Sequence, residues 1–268
     1  MRKRVYRNSS GLQAFVDRVA DRLIDRAIKR RRRTLAAHFE QSFGCVVKYG
    51  PFAGLRLSPD SWWGRSDRAG MLLGFYEREV LETLATKPEG FRTLIDIGAA
   101  DGYYAIGGLV SGLFDKAECF ESSEQGRRVI EQSAAINGVS DAIRIHGVAA
   151  RDFYKSVDPQ MLKGSVVLSD IEGGEFDIFD EEALFALREC MIVIELHEFM
   201  RGQKGVDELE DLKRRASNWF DVRLLSTAAR DLSGYPELEH MTDSDRWLMC
   251  SESRPRLMSW LALRPKAG

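Results

Sequence analysis

The stretch TLIDIGAADGYYAIGGL, residues 93–109, constrains this chain most. An apolar run reaches Asp96, passes through Gly98-Ala99-Ala100-Asp101-Gly102, and enters a helical pattern. Small residues at such a turn let the backbone approach a ligand closely, and the helix that follows offers free N–H groups at its start. The spacing is G-x-x-x-G, so the G-x-G-x-x-G fingerprint of dinucleotide binding is not met. Asp96 and Asp101 would repel a pyrophosphate. They would tolerate a zwitterionic amino-acid end beside a cationic sulfur.

Around this turn the pattern is regular. Strand-like runs occupy 93–97, 117–121, 143–146, 165–170, 191–196, 221–226 and 246–250, with helical patterns at 125–137, 177–189 and 206–219. Strands alternating with helices predict βαβ units in a doubly wound, Rossmann-like α/β sheet of seven strands. The segment between the last two runs is loop-like, so the last strand is expected to be antiparallel. Ahead of the core, residues 11–38 read as a helix. Leu12, Phe15, Val16, Val19, Leu23, Ala27 and Ile28 recur there at three- and four-residue steps. Residues 45–60 read as a hairpin turning at Gly50-Pro51, and residues 71–86 as a helix. The expected division is a basic amphipathic helical extension over 1–44, a hairpin and helix leading into the core over 45–90, and a catalytic domain over 91–268.

Charge is unevenly placed. The net charge is -2, yet residues 1–33 carry +9, leaving -11 on the remainder. Such an arm either docks on the acidic body or touches an anionic partner, including a membrane surface. No aromatic residue interleaves the basic run, so nucleic acid is a poor fit. No stretch approaches the length of a membrane span, and no apolar region of the secretory kind follows MRKRVYRNSS. Cys45, Cys119, Cys190 and Cys250 are far apart and form no CxxC. Reduced thiols and a cytoplasmic location are the expectation.

A second acid stands in register with the glycine turn. Glu121 closes the second strand nineteen residues after Gly102 and can accept from both hydroxyls of a ribose, with Ser122 beside it. The loop Gly147-Val148-Ala149 after the third strand would cover an adenine through Val148. His146 reads as structural. Further along, the fourth strand ends in Asp170-Ile171-Glu172-Gly173-Gly174-Glu175 and the fifth in Glu195-Leu196-His197. Ligands of doubly wound sheets bind outside the carboxyl ends of strands, so Asp170, Glu172, Glu195 and His197 should converge. His197 could take a proton from a substrate hydroxyl. Alternatively the four could hold a divalent metal such as Mg²⁺ that acidifies that hydroxyl.

Taken together, TLIDIGAADGYYAI, CFES, LSDIEGGEF and VIELHEF resemble, in order and spacing, the motifs of FkbM-type class I S-adenosylmethionine-dependent methyltransferases. The blocks YGPFAGLRL, GFYEREV and DSDRWLMCSESRP resemble a subgroup associated with saccharide gene clusters. The resemblance implies O-methylation of a hydroxyl on a carbohydrate or natural product. It implies cofactor contacts from Asp96, Gly98 and Glu121, and an acceptor side around Asp170, Glu172 and His197. It also places Tyr76 and Glu77 near the methionine end of the cofactor. A departure is Ser122-Ser123 where such families often carry Pro. Two other readings stay open: an RNA or protein methyltransferase steered by the basic arm, and a non-catalytic nucleotide-binding scaffold. Trp62 and Trp63 could stack on a sugar face or pack beneath the extension.

Overall fold

A computed structural model describes residues 11–252, 254 and 256–266. Arg2, Lys3, Arg4 and Arg7 of the basic arm lie outside the described residues. Three helices precede the sheet: α1 (Gly11–Phe43), α2 (Arg68–Leu72) and α3 (Arg78–Ala85). The core then runs β1 (Thr93–Ile97), α4 (Tyr103–Val110), β2 (Lys116–Phe120), α5 (Glu124–Ile136), β3 (Ile143–His146), α6 (Pro159–Leu162) and β4 (Ser165–Ser169). It closes with α7 (Glu175–Ile178), α8 (Glu181–Ala186), β5 (Met191–Glu195), α9 (Gln203–Ala216), β6 (Phe220–Ser226), α10 (Asp243–Cys250) and β7 (Ser259–Pro265).

The seven strands form one sheet in the order β3-β2-β1-β4-β5-β7-β6. Pairings among β1 to β5 are parallel, and β7 runs antiparallel to both β5 and β6. Strands covered on both faces read as continuous apolar runs, and every residue of β4 and β5 is buried. Successive residues point to opposite faces, so the strands feed two cores. Leu94, Val166, Leu168, Met191 and Val193 join one, while Ile95, Val167, Ile192 and Ile194 join the other.

Four local expectations need correction. The helix expected over 177–189 is two, α7 and α8, because Asp180 caps a fresh start by accepting from the Ala183 N–H. The run 246–250 is not the last strand but lies in α10. Thr242 accepts a hydrogen bond from the Asp245 N–H and caps the helix, and Asp243 and Asp245 suit its positive end. The last strand is β7, where Trp260 to Leu263 are buried. The helix expected over 71–86 is two helices. Gly74 (φ +74°) breaks it, and a Cβ there would stand 2.0 Å from the Tyr49 carbonyl oxygen. The hairpin over 45–60 makes a single antiparallel bridge, Val46 with Arg56.

α1 is docked along its C-terminal half. Leu35 and Phe39 are buried in the core, Arg32 pairs with Asp67, and Arg31 with Asp245 at 2.6 Å. No helix among the described residues is long and apolar enough to cross a membrane.

Candidate active site at the carboxyl edge of the sheet

The strand order changes direction between β1 and β4, and a crevice opens there above the strand ends. A cleft of about 460 Å³ fills it, lined from Trp62, Glu121 and Val148 at one end to Glu77, Asp170 and Glu172 at the other. That volume lies in the range of small-molecule sites.

At the first end the β1–α4 turn is tied to β2. The N–H groups of Gly98 and Ala99 both donate to the Phe120 carbonyl, at 2.8 and 3.1 Å. Gly98 has φ +85°, and a Cβ there would sit 1.9 Å from the Asp170 carbonyl oxygen. Only glycine fits this approach between β1 and β4. Ala100 is left-handed without being glycine, at φ 49°. Its N–H donates to Glu121 at 2.9 Å, and the Ser123 N–H donates to the other Glu121 oxygen at 2.7 Å. Glu121 thus binds the turn to the β2 edge while facing the cleft, with Ser122 alongside.

Asp96 is buried, and one of its carboxylate oxygens has no hydrogen-bond partner. Burial, with help from the charges of Glu121 and Glu77, pushes its pKa up to about 7. Asp101 lines the cleft and is also tied to the loop ahead of α2. Its carboxylate accepts from the Ser61 hydroxyl and from the Trp62 and Trp63 N–H groups at 2.7 and 3.1 Å. It therefore positions the loop that carries both tryptophans, whose half-exposed rings edge the cleft. Val148 and Tyr76 also line the cleft, the latter edge-on to Tyr103 at 5.8 Å. His146 is engaged structurally: it meets Glu118 at 2.6 Å and stacks on Phe120.

The second end is crowded with titratable groups. Nε2 of buried His197 lies 3.5 Å from Glu172 and 3.8 Å from Asp170. Its Nδ1 lies 3.5 Å from Glu175, which is fully buried. Glu175 also accepts from the His197 N–H at 2.7 Å and the Gly173 N–H at 2.8 Å, clamping the β4 and β5 loops together. Burial disfavours imidazolium, but the charges of Glu175, Glu195 and Glu172 outweigh it and raise the His197 pKa. Glu172 takes a left-handed conformation at φ 52° and lines the cleft. Asp170, Glu172 and His197 each offer a ligand atom within 4.8 Å of the others, a spacing that could hold a metal.

Glu195 stands outside that triad. It pairs with Arg254. Burial, with the Asp170 charge, raises its pKa to about 8, while Asp170, also raised by burial, reaches about 7. Arg254 pairs on its other side with buried Glu77, which accepts from the Tyr104 hydroxyl. Glu252 accepts from Arg254 at 2.8 Å and from Arg230 at 3.0 Å. Burial and the Glu195 charge lift Glu77 to about 7. Glu252, Arg254 and Arg230 went unassigned from sequence, although Glu252 and Arg254 lie in the block DSDRWLMCSESRP.

No protein-family model matches the chain, and no curated protein matches it significantly. Solved structures match it at low identity. The ribosomal protein L11 methylase of Lactobacillus delbrueckii subsp. bulgaricus is 15% identical over 80% of this chain and 86% of its own, with a TM-score of 0.48. A Streptococcus pneumoniae protein provisionally described as a tRNA (m1A22) methyltransferase, in complex with S-adenosyl-L-methionine, is 15% identical over 70% and 72%, with a TM-score of 0.46. A provisionally described O-methyltransferase of Klebsiella pneumoniae is 11% identical over 70% and 77%, also with a TM-score of 0.46. These are likenesses of backbone path alone. The sheet order and its antiparallel β7 give the chain the seven-stranded, Rossmann-like methyltransferase fold.

Proposed function

We propose that this chain transfers a methyl group from S-adenosylmethionine to a hydroxyl oxygen of a carbohydrate or natural product. The observation that carries the reading is one cleft reaching from the Gly98 turn and the unpartnered Asp96 oxygen to Asp170 and Glu172, whose carboxylates lie 3.8 and 3.5 Å from His197 Nε2 just behind the cleft wall. Asp96 is placed to meet an ammonium or hydroxyl donor that would satisfy its buried oxygen. Gly98, Ala99, Ala100 and Gly102 give the close backbone approach. Glu121 and Ser122 face the ribose position, Val148 the base, and Tyr76 the methionine end. Asp101 supports them through the tryptophan loop.

The methyl donor supplies an electrophilic carbon on a sulfonium. His197 Nε2 accepts the hydroxyl proton as the oxygen–carbon bond forms and the sulfur–carbon bond breaks, leaving S-adenosylhomocysteine. Asp170 and Glu172 orient the acceptor, and Glu175 holds the ring. Glu195 takes part through Asp170. Holding oxygen, carbon and sulfur in line supplies much of the rate. The aromatic faces of Trp62 and Trp63 at the rim suit a sugar ring.

A metal-assisted variant is favoured by the triad geometry. Asp170, Glu172 and His197, without Glu195, would hold a divalent ion that acidifies the same hydroxyl. Calorimetric titration with S-adenosylhomocysteine, with Mg²⁺ and with EDTA, tests both. Micromolar binding lost in Asp96→Ala supports the cofactor assignment, and absence of binding sinks it. Turnover on hydroxyl acceptors that survives EDTA leaves His197 as the base.

A further inference from the structure

The function just proposed makes no use of the N-terminal half of α1, and this half is built as an amphiphile. Phe15, Val16, Val19 and Leu23 are 58%, 49%, 40% and 58% exposed, well above what a docked helix face would leave. At 3.6 residues per turn these four fall within about 100° of arc. Arg26, Lys29, Arg30 and Arg33 fall within a similar arc on an overlapping side, about one to three turns further on. The four line a shallow open basin on the helix surface. Asp17, Asp21 and Asp25 fall on the opposite flank, so the acids do not interrupt this side. Arg31 and Arg32, by contrast, face the body and anchor the helix on Asp245 and Asp67.

We propose that this side of α1 lies on a bilayer rich in anionic phospholipid. The apolar half enters the headgroup boundary, and the basic half meets the lipid phosphates. Charge complementarity selects this occupant. A second copy of the chain would need an apolar seam sustained along the helix, and the heptad running through Val16, Val19 and Leu23 ends at Arg26 and Arg30. Nucleic acid would meet the basic half but leave Phe15 and Leu23 in water.

Co-sedimentation of the full chain with vesicles tests this, using phosphatidylcholine alone and phosphatidylcholine with phosphatidylglycerol in equal parts. The expected result is binding to the anionic vesicles only, weakened by salt. Replacing Lys29, Arg30 and Arg33 with Gln should lower that binding by about a hundredfold. The pair Phe15→Glu and Leu23→Glu should abolish it with the melting temperature unchanged, because both side chains are exposed. No binding by the wild-type chain overturns the proposal. So does binding indifferent to the Phe15 and Leu23 changes. A dimer that those changes dissolve, seen by sedimentation, assigns the face to a second copy instead. Tighter binding to polyuridylate than to vesicles assigns it to nucleic acid.

Discussion

At the β1–β2 end of the cleft, the polar groups facing a ligand come from one continuous stretch, residues 96–122, held by hydrogen bonds to backbone N–H groups, with Trp62 and Val148 added from neighbouring loops. At the other end the cluster comes from four separate segments: Glu77 before α3, Asp170 and Glu172 after β4, Glu195 and His197 at and just beyond the end of β5, and Glu252 and Arg254 before β7. The first end is preorganised by short-range chain geometry. The second depends on charges that balance one another across the fold. The difference teaches where each end should be fragile: the turn to added volume, the cluster to removal of one partner.

The largest effect is expected at the turn. Gly98→Val must move the Asp170 carbonyl, which a Cβ would approach to 1.9 Å, and must hold φ +85°. We expect a loss of about 3 kcal/mol or more in denaturant unfolding, together with loss of S-adenosylhomocysteine binding. A stable variant that still binds would erase the contrast. Next comes the cluster. Arg254→Leu leaves Glu77 and Glu195 buried without their cation, and removing one partner of a buried pair costs about 3–5 kcal/mol. If urea midpoints barely move, the network is not balanced by Arg254. Third, His197→Ala should lower turnover by about a hundredfold while cofactor affinity holds, since His197 lies outside the glycine turn. In the wild type the rising limb of kcat against pH should fall above the ordinary histidine value, because the imidazole must first lose the proton that its carboxylate neighbours stabilise.

The cluster should also make stability depend on pH, more than the turn does. Asp170, Glu77 and Glu195 keep their protons up to about 7, 7 and 8 when folded, whereas the unfolded chain releases them near 3.8 and 4.5. Unfolding is therefore favoured as pH rises through that window, and the raised histidine pKa acts in the same direction. Thermal midpoints of the ligand-free protein should fall by several degrees between about pH 6 and about pH 8. Asp96 adds the one such contribution from the turn end, so Asp96→Asn should flatten the slope only in part. A midpoint that climbs with pH would contradict this assignment of protons. The smallest effect is expected at Glu121→Gln. The amide retains one acceptor for Ala100 or Ser123, so cofactor affinity should drop by about fivefold, roughly 1 kcal/mol.

By itself the amino-acid sequence determined the parallel core and the glycine turn. Buried strands carry unbroken apolar runs, and a left-handed turn packed on a neighbouring strand requires glycine, so both leave marks in neighbouring residues. It also determined that Asp170, Glu172 and His197 meet, because strand ends adjacent in the sheet share one edge. Only the tertiary structure decided the rest. DSDRWLMC is helical rather than a strand because of the Thr242 cap. Asp101 serves the tryptophan loop because Ser61 to Trp63 fold over it. Glu195 turns to Arg254 because a segment fifty-nine residues further on crosses the acid end. An ion pair between residues so far apart has no period or spacing in the chain, since it is set by where loops cross and not by local geometry.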